Sequence, residues 1–195
     1  MELTSITPSP AGLKALSHPV RLRMLGLLRT EGAATSTTLA TRLGLNTGAT
    51  SYHLRQLAQH GFVVEDEALG NARERWWKAA HQATVTDAAV RDPAEQEVVD
   101  AYLQSVAIVH TERLQRAVEE RALLPREWLE ASTLSDWGLR LTASRARQLT
   151  DAISALVQGW DEDETAEDAA DFVVQVGAFP LPGSLSRPGE HEAER

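Results

Sequence analysis

Thr47, Ser51, Tyr52, Arg55 and Gln56 recur at the spacing of one face of an α-helix. Four hydrogen-bonding side chains beside one permanent cation can donate to and accept from the edges of base pairs. Arg55 suits a phosphate or the fork of acceptors on guanine. The opposite side of the same stretch is apolar, through Leu54 and Leu57, and Gly61 ends it. Just upstream, Leu39, Ala40 and Leu43 form the apolar face of another short helix, Gly44 ends that one, and Leu45 plugs the turn. Residues 36–64, STTLATRLGLNTGATSYHLRQLAQHGFVV, therefore read as two amphipathic helices, a tight glycine-bearing turn and the start of a strand. A polar face with a cation on the second helix of such a pair is what major-groove reading requires. An ordinary helix pair in a helical domain gives the same periodicity, so the flanking elements must decide.

Upstream, Pro8 and Pro10 punctuate a loose start, and residues 11–16 suit a short helix ending before Pro19. Pro19 suits the first turn of the next helix. There Val20, Leu22, Met24, Leu25, Leu27 and Leu28 supply a broad buried face, with Arg21, Arg23 and Arg29 expected to be solvated. Downstream, Phe62-Val63-Val64 begins a strand, Gly70-Asn71 marks a hairpin turn, and RERWWK at 73–78 returns as a second strand. Trp76 and Trp77 fall on opposite faces of it, so at least one belongs in the core. Arg73 and Arg75 on this hairpin suit phosphate or minor-groove contact; a solvated hairpin face is the alternative. Residues 1–82 then form one winged-helix domain.

A long helix is expected from about 94 to 122, within a linker and dimerisation segment at 83–123. Val99, Tyr102, Leu103, Val106, Val109, Leu114, Ala117 and Val118 recur there at three- and four-residue steps. Val99, Leu103, Val106, Val109 and Leu114 are expected to pack on a second chain, the alternative being a fold back onto the domain. Beyond Pro125, residues 126–131 suit a short helix and residues 136–141 alternate like a strand. Thr142 suits the N-cap of a helix running to about Trp160, with Leu149, Ile153, Leu156, Val157 and Trp160 on one side. After an acidic loop at 161–168, residues 171–179 read as a second strand. Residues 124–180 are thus expected to be a small strand–helix–strand region, its strands paired within or between subunits, and 181–195 a disordered tail. The fold class is mainly α with small β, an α+β arrangement.

The chain has no cysteine, which excludes disulfides, thiolate metal sites and a cysteine nucleophile. Its first residues lack a signal-peptide pattern, and no apolar run approaches the length of a membrane span, so a cytoplasmic protein is the simplest account. The net charge of −9 divides unevenly. Residues 1–80 hold 9 Lys and Arg against 6 Asp and Glu, a net of +3, and residues 81–195 hold 10 against 22, a net of −12. The basic end coincides with the helix pair, and the acidic end would repel phosphate.

Three motifs in order, ALSHPVRLRMLGLL at 15–28, LATRLGLNTGATSYHLRQLAQHGFV at 39–63 and RERWWKA from 73, resemble the ArsR-type winged-helix transcriptional regulators. The style is that of larger actinobacterial members with a C-terminal extension, and the resemblance covers about residues 11–82. It implies a homodimer on a palindromic double-stranded operator, usually as a repressor, with one recognition helix per major groove. On this resemblance the reading helix spans 47–60. Thr47, Gly48, Ser51 and Tyr52 then lie where the family touches bases or nearby phosphates. Gly48 stands where a Ser is common, and Tyr52 where a His or Arg is common. His53 lies near the edge of the buried face, as either a structural histidine or a DNA contact.

The family's metal-sensing sites do not carry over. There is no thiolate, and the long helix has only His110, with Asp100 about 15 Å away along the axis. No metal or cofactor is expected. Trp128, Trp137, Trp160 and Phe172 either line an apolar effector pocket or fill a small C-terminal core. No glycine-rich phosphate loop, HExxH or GxSxG is present, and the six histidines form no catalytic constellation, so an enzyme is not expected. A winged helix that binds protein without specific DNA binding is the alternative function.

Overall fold

The computed structural model describes residues 4–70, 74–86, 92–163 and 165–185. It is mainly helical with a small sheet, in two compact units, Met1–Leu134 and Ser135–Arg195.

In the first unit, strand β1 (Ser5–Ile6) leads into α1 (Pro10–Leu16) and α2 (Pro19–Thr30). His18 caps α2: its Nδ1 accepts from the Val20 amide at 3.2 Å, and Pro19 fills the first turn, where no amide donor is needed. Strand β2 (Ala34–Thr35) precedes α3 (Ser36–Leu43) and α4 (Thr47–Gln59). Strands β3 (Val63–Glu65) and β4 (Trp76–Ala79) follow, then β5 (Ala83–Thr84) and the long helix α5 (Pro93–Glu120). A 3-10 turn, Arg121–Leu123, and a short helix α6 (Arg126–Ala131) complete the unit.

The winged-helix order expected from the sequence is present. Strand β4 is the centre of a three-stranded antiparallel sheet, with β3 on one side (Val63 opposite Ala79) and β2 on the other (Ala34 opposite Trp77). The return strand starts three residues later than the pattern suggested. The loose start is corrected: β1 pairs in parallel with β5, Ser5 opposite Ala83. Two-residue pairings leave no periodicity in the sequence to find them by.

Leu16, Met24, Leu25, Leu39, Leu54, Leu57, Phe62 and Val63 form the solvent-free centre of one core, joined at its edge by Trp77, Val99 and Tyr102. The arginines of α2 are also corrected. Arg23 makes a two-pronged ion pair with Glu112 on α5, its Nε donating at 2.8 Å. Arg29 donates to the His81 carbonyl at 2.8 Å and to Thr84 Oγ1 at 2.9 Å. Arg21 donates to the Ala15 carbonyl. Each finds a partner that local periodicity cannot show, because the charged head lies several ångströms from its own backbone. Ser105 on α5 donates to the Ser17 carbonyl at the α1–α2 corner.

The second unit holds α7 (Ala143–Gln158), capped as expected by Thr142, which accepts from the Arg145 amide. The strands expected at 136–141 and 171–179 are absent: both stretches are irregular and largely exposed. Alternating apolar residues favour a strand only where another backbone edge offers hydrogen bonds. Most of the expected tail, from 186 onward, lies outside the described residues.

Candidate nucleic-acid interface

The turn between α3 and α4 sets the direction of the second helix. Gly44 ends α3 in the left-handed region, at φ 64°, where a Cβ is disfavoured. The Leu45 amide returns to the Ala40 carbonyl at 2.9 Å. Asn46 then caps α4, its Oδ1 accepting from the Ala49 amide at 2.8 Å. Thr50 is fully buried, and its hydroxyl donates to the Ser36 carbonyl at 2.8 Å, which fixes α4 against the start of α3. Asn46 and Thr50 were not singled out from the sequence. An Asn three residues before Ala49, in a turn, is a cap signature that could have found the first.

With Thr50, Leu54 and Leu57 turned inward, the other side of α4 is held outward. Thr47, Gly48, Tyr52 and Arg55 are exposed, and Ser51 and Gln56 are half-buried. Tyr52 keeps 50% of its surface accessible, with its ring edge-on to His53. A Cβ at Gly48 would lie 3.3 Å from the Asn46 side chain that caps the helix. A larger residue there crowds the cap, which gives a structural reason for glycine at that place.

His53 faces inward at the edge of α4. Its ring centre lies 4.7 Å from that of His18 and 5.5 Å from that of Tyr52. Burial is the main reason that both histidines lie below the ordinary histidine value; the charges of Arg21 and Arg23 add to it at His18, and those of His18 and Arg21 at His53. The two rings pack together between the start of α2 and α4, and the buried Nδ1 of His53 has no hydrogen-bond partner there among the described residues.

On the wing, the Asp66 amide donates to the Trp76 carbonyl at 2.8 Å, and the Asp66 carboxylate meets Lys78 at 3.2 Å. The hydrogen bond from Lys78 is the main reason that the Asp66 carboxyl stays below its usual value. Arg75 is exposed and pairs with Glu65 at 3.1 Å. An exposed ion pair of this kind holds weakly, so the guanidinium can exchange its partner for a phosphate. Arg73 lies outside the described residues. Trp77 is buried, and Trp76 half-buried.

Along α5, Val99 and Val109 are buried and Val106 packs at the core edge, whereas Leu103 and Leu114 are exposed. The apolar seam thus divides between a face that packs within the chain and one that does not. Trp137, Trp160 and Phe172 are mostly exposed, so they fill no core within their own unit. Among the described residues, no group of three or more His, Asp or Glu is placed to hold a metal. Nor is any helix there long and apolar enough to cross a membrane.

Among solved structures, the chain is similar to a possible transcriptional regulator for arsenical resistance, at 27% identity over 54% of this chain and 93% of that one, with a TM-score of 0.32. It is also similar to the apo form of a ZitR mutant from Lactococcus lactis, at 16% identity over 73% and 82%, with a TM-score of 0.33. A third is the YusO protein of Bacillus subtilis, at 12% identity over 77% and 84%, with a TM-score of 0.31. No curated protein matches the chain. Residues 16–66 match the model of a helix-turn-helix domain, and that stretch runs from the end of α1 through α4 to the first strand of the wing.

Proposed function

We propose that this chain is a sequence-specific DNA-binding transcriptional regulator of the ArsR type, a homodimeric repressor acting in the cytoplasm. The observation that carries the reading is α4: a rigidly seated helix whose outward face holds Thr47, Ser51, Tyr52, Arg55 and Gln56. Such a helix enters a major groove, and the adjoining wing, with Arg75 and Arg73, reaches the flanking backbone. The exposed row of α5, Leu103 and Leu114, is the part of the dimerisation seam left for a second protomer. Val99, Val106 and Val109 support that helix from within the chain.

Selection of bound sequences from random DNA tests the reading, and a two-fold-symmetric consensus is the expected result. Arg55→Ala should weaken binding to that site by about 1–3 kcal/mol if Arg55 reads a base. An unchanged footprint with that variant removes Arg55 from the reading face. No enriched sequence at low salt would favour the protein-binding winged helix instead.

A further inference from the structure

Helix α7 carries an apolar row that nothing in its own unit covers. Leu149, Ile153 and Leu156 follow one another at steps of four and three, and Trp160 continues the row just past the helix end. None is buried: Leu149 is 38% exposed, Leu156 61% and Trp160 74%. Leu139 and Leu141 extend the same patch beside Leu149 around a shallow open depression shared with Arg145 and Gln148. No described residue of the second unit is buried, so the unit has no core of its own.

The charges around this row are polarised. Arg140 and Arg145 flank its N-terminal end, and Asp161, Glu162 and Asp163 follow its C-terminal end. The helix dipole adds to the same asymmetry, with its positive pole at Ala143. Such a row is complementary to itself turned end over end. We propose that α7 pairs antiparallel with α7 of a second copy of this chain, about a two-fold axis near Ile153. Leu149 of each copy lies against Leu156 of the other, and each Arg145 meets the other copy's Trp160 and the Asp161–Glu162–Asp163 run. A parallel pair would place acid against acid and Arg145 against Arg145. A two-fold contact repeats every favourable pairing twice, and the apolar row alone satisfies the spacing of a helix–helix seam. This contact is separate from the α5 seam and does not require it.

The absence of cysteine makes the test direct. Full-length Leu149→Cys and Leu156→Cys proteins are purified apart, mixed and oxidised in air, and the products separated by mass. The expected result is a heterodisulfide between positions 149 and 156 in excess over links between like positions. It should be lost when Arg145→Glu is added to both proteins and recovered when Glu162→Arg is then added as well. Excess like-to-like links, or no link in any combination, would overturn the proposal, as would a link indifferent to the Arg145 and Glu162 exchanges. Operator binding through α4 is read separately by footprinting. An α5 variant, Leu103→Glu, tests the other contact without touching α7.

Discussion

Leu54 and Leu57 point inward from the helix whose outer side carries Tyr52 and Arg55, so both faces belong to one rigid body. Leu54→Ala should cost about 2–5 kcal/mol, because the site is fully buried and can close only partly around the cavity. A denaturant midpoint measures it, and loss of DNA binding should follow the unfolded fraction, not precede it. Thr50→Val removes one hydrogen bond to Ser36 and should cost about 1 kcal/mol. The paired rings of His18 and His53 predict a pH effect with a definite sign. Both have folded-state values lowered by burial, and so has His110. The unfolded chain therefore binds more protons in the interval between the lowered and the ordinary histidine values. Stability should be flat above the ordinary value and fall as pH drops through it toward the lowered values. A melting temperature that is constant from neutral pH down to about 5, measured against ordinary histidine titration, would contradict this. The outward face of α4 was legible from its types and spacing. The ring pair was not, because His18 and His53 meet only once α2 and α4 are folded together.

Helices α3 and α4 owe their relative direction to two short signals, Gly44 at positive φ and the Asn46 cap. Gly44→Ala should destabilise by about 1 kcal/mol, the strain of a Cβ in the left-handed region. Asn46→Ala should cost about 1 kcal/mol through the lost cap. It should also loosen the first turn of α4, where Thr47 and Gly48 lie, so operator affinity should fall by more than the stability change explains. Elements of this kind were readable because their signals are local: an apolar period, a capping residue, a glycine. The stretches at 136–141 and 171–179 show the limit. The first alternates and the second is rich in Val and Phe, yet neither is paired into a sheet as β3 and β4 are. Pairing is a property of two segments, and only one was in view. The same reason hid β1 and β5, and it turned Arg23, apparently a solvated side chain, into a clamp on Glu112 of α5.

At the scale of the whole chain, the charge is segregated, with a net of +3 in residues 1–80 and −12 in residues 81–195. Operator affinity should fall linearly with the logarithm of salt concentration, with a slope of about 0.9 for each phosphate neutralised. Removing the Arg75 charge should shallow that slope by about 1 while leaving the selected sequence unchanged. Sequence alone located the basic end and the helix that faces outward from it. It could not divide the α5 seam into an inner row, Val99 and Val109, and an outer row, Leu103 and Leu114. That division depends on which residues α1 and α2 already cover.

Arg29 gives one more consequence, in time instead of energy. Its guanidinium bridges from α2 to His81 and Thr84, and that stretch also holds the N-terminal strand through amides donated by Ala83 to Thr4 and by Val85 to Ile6. Backbone bonds thus join the first strand to the segment that leads toward α5, and Arg29 ties that pair of strands to α2. Amide protons at Ala83 and Val85 should exchange slowly while it holds. In Arg29→Leu they should exchange many times faster, with those of Leu54 and Leu57 nearly unchanged. Such a pattern would mark residues 4–6 and 81–86 as a latch that opens on its own, ahead of the fold as a whole.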